Sequence, residues 1–76
     1  MEEKILEILR NLFEDDAIDG TCSQKNCEKW DSMNQLNLVV ELEDAFGISL
    51  EPEEIGEMIC FDDIVRILKN KMKLLN

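Results

Sequence analysis

Seventy-six residues allow one small domain, 1–76, and leave no room for a second. Eighteen acids against eight bases give a formal charge of -10, which argues against nucleic acid and anionic membrane as partners. The chain has no histidine and no tyrosine, which removes the commonest general base and every Cys–His or Ser–His dyad, so catalysis in its own right is not expected.

From residue 2 to 13, Ile5, Leu6, Ile8, Leu9, Leu12 and Phe13 recur at spacings of one, three and four, the pattern of an amphipathic helix. Residues 15–29 are polar, include Gly20 and hold no sustained period. They read as a long loop, of the kind that is often functional or partly mobile. Three cysteines, Cys22, Cys27 and Cys60, are an odd count without a signal peptide, which reads as reduced thiols in a cytoplasmic protein. The C-x4-C spacing of the first two, with no second ligand pair, argues against zinc. Asp15, Asp19 and Gly20 match positions of a calcium-binding EF-hand loop. Ala17 and Asn26 then fall where an oxygen ligand and a bidentate glutamate are needed, so no metal site is expected. Trp30 is expected to pack over the loop as an anchor.

A second helix is predicted from about Ser32 to Phe46, ended by Gly47 as a C-terminal cap. Ile48-Ser49-Leu50 looks extended, and Pro52 can open a short helical turn through Glu57, weakened by Gly56. A last helix, about Phe61 to Leu74, presents Phe61, Ile64, Val65, Leu68 and Met72 to the core. The expected fold is all-α: a small four-helix bundle with a long loop between helices 1 and 2 and a short third helix. No run of apolar residues approaches transmembrane length, so no membrane contact is expected, and a monomer is.

The second helix carries most of the functional information. At 100° per residue, Leu36, Val39, Leu42 and Phe46 share one side, widened by Leu38 and Ala45. Asn34, Asn37, Glu41 and Asp44 form the opposing polar stripe, bordered by Met33 and Val40. A solvated face with scattered apolar neighbours would account for this as well as a docking surface. Ser32 has two readings. Ser32-x-x-Gln35 fits the capping-box pattern, in which the hydroxyl accepts a backbone N–H and stabilises by about 1 kcal/mol. Alternatively, a serine reached from a long loop is open to another enzyme, and the positive end of a helix favours an esterified phosphate.

The run Asp31-Ser32-Met33 followed by L-N-L-V-V-E-L-E-D-A-F-G-I resembles the acyl carrier protein family, whose motif is D-S-L before an amphipathic helix ending in E-x-F. The likeness extends through the order of elements over nearly the whole chain. It implies that Ser32 carries 4′-phosphopantetheine, attached from coenzyme A by a separate magnesium-dependent phosphopantetheinyl transferase. It also implies recognition by partner enzymes on the exposed side of that helix, through Asp31, Met33, Asn34, Asn37, Val40, Glu41, Glu43 and Asp44. Those partners would be an acyl- or aminoacyl-loading ligase or transferase and downstream biosynthetic enzymes with basic docking patches. Asn34 and Asn37 stand where fatty-acid carriers usually show acids, and Met33 in place of leucine is similar to D-alanyl carrier proteins. Trp30 before the aspartate resembles stand-alone carriers, so a dedicated carrier is expected. The competing reading is an unmodified acidic adaptor in which Ser32 only caps.

Overall fold

The structure, a computed structural model, describes residues 1–75, with side chains through Lys73. Four helices follow in order: α1 (Glu2–Phe13), α2 (Ser32–Phe46), α3 (Pro52–Glu57) and α4 (Phe61–Leu75). The expected four-helix plan, with its long first connection and short third helix, is the observed one.

Each boundary has a local cause. Helix α1 ends where Glu14 turns into the left-handed region at φ 54° and donates its N–H to the Arg10 carbonyl. Gly47, at φ 64°, closes α2 in the same way on the Glu43 carbonyl, a conformation that costs a glycine nothing. Pro52 opens α3, and the Glu51 and Glu54 side chains cap it reciprocally.

Ile5, Leu9 and Phe13 of α1 meet Leu38 and Leu42 of α2, Ile64 and Leu68 of α4, and Met58 in one core, all with 2% exposure or less. Side chains of this size stabilise by about 1.5–3 kcal/mol each when fully buried. α1 packs on both α2 and α4. Ile67 of α4 is buried, although the expected core stripe omitted it, and Met72 is only half-buried.

The connection from Asp15 to Asp31 is pinned at intervals. Ile18, Cys22 and Trp30 are buried along it. Arg10 Nε donates to the Ile18 carbonyl at 2.8 Å, drawing the loop onto α1. Further on, Ser23 bridges Cys60, Gln24 N–H donates to the Ile59 carbonyl, and Phe61 N–H donates to that of Cys22. Trp30 is the expected anchor: its ring centroid lies 5.7 Å from that of Phe13, tilted by 38°. Apolar pins and backbone pairing give the loop a defined course that its polar composition did not suggest.

Candidate functional site

Asp31, not Ser32, caps α2. Its backbone is extended (φ -103°, ψ -174°), and its Oδ1 accepts the Asn34 N–H at 2.9 Å. Ser32 is therefore the first residue inside the helix, exposed, and among the described residues its hydroxyl has no hydrogen-bond partner. The capping-box expectation fails at its other end too, because Gln35 points away from the cap. The Gln35 Nε2 donates to the carbonyls of Ile55 at 2.8 Å and Met58 at 3.2 Å, and its Oε1 accepts the Trp30 indole N–H. The physical reason is competition: aspartate and serine both cap well, but only one can occupy the extended position before the helix, and the aspartate does.

Two consequences follow for chemistry at Ser32. Its oxygen is free to form a new bond, and it lies in the first turn of a fifteen-residue helix, where unpaired N–H groups and the helix dipole favour negative charge. The chain has no histidine to serve as a base for that oxygen.

The face expected to recognise partners divides into two groups. Met33 and Val40 are 70% and 63% exposed, and Asn37, Glu41 and Asp44 are exposed beside them. Three others are occupied within the fold. Asp31 caps. Asn34 donates from Nδ2 to the Lys29 carbonyl at 2.6 Å and accepts from Asn37 at 3.1 Å. Glu43 turns back, its Oε2 accepting the Leu50 N–H at 2.8 Å, which braces the chain after α2.

Leu36 reverses its expectation: it is 63% exposed rather than in the core. Taking α2 at 100° per residue, Leu38, Val39, Leu42 and Phe46 centre on the direction of Gln35, and Leu36 lies about 100° away on the Val40 side. Met33, Leu36 and Val40 thus form an apolar ridge along the exposed flank, at spacings of three and four. Ala45 is likewise exposed. Gln35, absent from the expected site residues, occupies the core-facing row because its amide is satisfied by three partners.

Cys22, Cys27 and Cys60 form no disulfide in the structure, Cys22 being buried and the other two half-buried. Burial pushes the Cys22 thiol up to about 12, helped by Cys27 beside it and by Asp15 and Asp19. A thiol held so firmly protonated is a poor nucleophile. The loop acids are engaged locally: Asp15 accepts the Ala17 N–H, and Asp19 accepts both the N–H and the hydroxyl of Thr21. Among the described residues no group of three or more potential ligands could hold a metal ion. Nor is any helix there long and apolar enough to cross a membrane.

No protein-family model and no curated protein sequence matches the chain. Solved structures do. A holo acyl carrier protein from Geobacter metallireducens is 26% identical, with a TM-score of 0.84 over 95% of this chain and 85% of its own. An acyl carrier protein from Thermotoga maritima, also 26% identical, gives 0.80 over 97% of this chain and 88% of its own. In fold, element order and nearly complete coverage, the chain matches the acyl carrier proteins.

Proposed function

We propose that the chain is a non-catalytic carrier on which Ser32 bears 4′-phosphopantetheine and presents a thioester-bound acyl or aminoacyl group to partner enzymes. One observation carries the reading. With the cap taken by Asp31, the Ser32 hydroxyl stands exposed and unpartnered at the positive end of α2, where an esterified phosphate is favoured. The holo state of the similar Geobacter protein supports a prosthetic group of this kind.

In the loading step the Ser32 oxygen forms a bond to the phosphorus bearing the pantetheine in coenzyme A. The pyrophosphate P–O bond breaks, adenosine bisphosphate leaves, and the serine proton passes to a base on the transferase. Once bound, the group supplies a thiol on a flexible tether, which raises the effective concentration of the cargo at each partner's active site. The chain's own part is to hold Ser32 forward and offer a docking face. Met33, Leu36 and Val40 give apolar contact, while Glu41 and Asp44 meet basic patches at about 0–1 kcal/mol per exposed pair. Weak contacts of that size suit a protein that must leave as readily as it docks. A cytoplasmic setting, among soluble biosynthetic enzymes, belongs to the same proposal.

Intact-mass measurement tests it. Incubated with coenzyme A, magnesium and a phosphopantetheinyl transferase, the native sequence should gain one phosphopantetheine, mapped to Ser32, and Ser32→Ala should gain none. A native chain that stays unmodified, in this assay and in its own cells, is an adaptor and not a carrier.

A further inference from the structure

The carrier reading leaves open where a group tethered to Ser32 can go. An open cleft of about 500 Å³ lies beside it, lined by Gln24, Trp30, Gln35, Ile55 and Gly56 along with Asp31 and Ser32 themselves. Beyond it are the core side chains: Leu38, one turn further along the same row of α2, and Met58 after α3, both fully buried. The gap between α2 and α3 would be the way in, and it is closed by polar groups. Gln35 Nε2 donates to both the Ile55 and Met58 carbonyls, Gln24 Nε2 donates to the Met58 carbonyl at 3.3 Å, and the Gln35 Oε1 holds the indole N–H of Trp30. Trp30 is itself 4% exposed and stacked on Phe13, so it fills the side of the gap toward α1.

We infer that Gln35 bars the interior of the bundle to whatever Ser32 carries, so that this carrier suits a short or polar acyl group and does not bury a long alkyl chain. The inference rests on the carrier reading above. An alkyl chain passing between α2 and α3 has to displace the Gln35 amide. That strips the indole N–H of its partner, leaves the Ile55 carbonyl with the Met58 N–H alone, and leaves the Met58 carbonyl with Gln24 alone, each a hydrogen bond lost at a part-buried site. A short or polar cargo does not need the interior. In the cleft it meets hydrogen-bonding side chains, Gln24, Gln35 and Asp31, and it gains nothing from the core. Gln35 acts here as a specificity-determining residue through the closure it makes and has no part in any bond that forms or breaks.

The test compares two loaded forms of the whole chain, made with a transferase from acetyl-coenzyme A and from decanoyl-coenzyme A. Intact mass verifies loading first. In the native sequence the two forms should melt together, with unchanged NMR shifts for the Leu38, Met58 and Ile64 methyls. A decanoyl form melting more than about 4 °C higher, the scale expected when an alkyl chain is buried in a domain of this size, with those shifts displaced, would overturn the inference and leave the carrier reading intact. Failure of both coenzyme A thioesters to add mass at Ser32 overturns the carrier reading and this inference together. Gln35→Ala, and Gln35→Met as a variant that keeps the volume without the amide, should admit the chain, so that in at least one of them the decanoyl form outmelts the acetyl form by that margin. If the two forms melt together in both variants, Gln35 is not the barrier.

Discussion

Placing the cap on Asp31 separates two side chains that look interchangeable in the sequence. Asp31→Ala removes the acceptor for the Asn34 N–H and should cost about 0.5–2 kcal/mol. Ser32→Ala, at the first helical position with no partner lost, should stay within about 0.5 kcal/mol of the native value. Urea denaturation followed by circular dichroism measures both, and a larger loss at Ser32 than at Asp31 would return the cap to the serine. The result bears on function because a hydroxyl engaged in capping is less available for esterification. Asp31-x-x-Asn34 and Ser32-x-x-Gln35 are both plausible helix starts on paper. Only the backbone conformation of Asp31 and the engagement of Gln35 with Ile55 and Met58, twenty and twenty-three residues away, distinguish them.

At the scale of elements, α1 and α2 end on the same left-handed turn with opposite residues in it. Gly47 adopts φ 64° freely, whereas Glu14 at φ 54° carries a Cβ against a carbonyl. Gly47→Ala should therefore destabilise, and Glu14→Gly stabilise, each by up to about 1 kcal/mol. The exposed Glu14–Lys29 pair at 3.7 Å offsets little of the second change. Chemical denaturation reads both, and like signs for the two substitutions would contradict the cap geometry. These ends also show why so much of the fold was legible. Gly47 and Pro52 punctuate it, and the apolar spacing in α1 and α4 marks their extents, so residues 2–13 and 52–57 match prediction and the last helix does so to one residue. α2 was legible in extent but not in orientation. A period assigns faces by hydrophobicity, and here a glutamine holds the core-facing row while Leu36 stands outside. That swap is invisible without the carbonyls that satisfy the amide. The loop's course was hidden for a related reason: Ile18, Cys22 and Trp30 are too widely spaced to form a period, and their partners lie on other elements.

For the molecule as a whole, a charge of -10 has to be reconciled with a compact state, since like charges repel it open. One ion pair stands out from the exposed surface pairs: Lys71 of α4 meets Glu54 of α3 at 2.9 Å, both side chains mostly covered, and so ties the short helix to the last one. The Glu54 carboxyl is held below its ordinary 4.5, first by the Glu51 N–H and then by Lys71. Lys71 is raised above 10.5, chiefly by its hydrogen bond to Glu54. With the folded pKa of Glu54 depressed, its contribution to stability is complete above the unfolded value and is lost as pH falls through the folded one. The lysine side of the pair fails only above pH 10.5, outside that window. Raw acid unfolding would blur this effect, because protonating the other seventeen acids relieves repulsion at the same time. The difference between native and Glu54→Gln is the cleaner measure, since glutamine can still accept the Glu51 N–H and loses only the charge. That difference should hold steady from pH 7 to about pH 5 and shrink below 4.5 toward zero. A gap that persists undiminished at pH 3 would mean the carboxylate's charge does not hold α3 against α4.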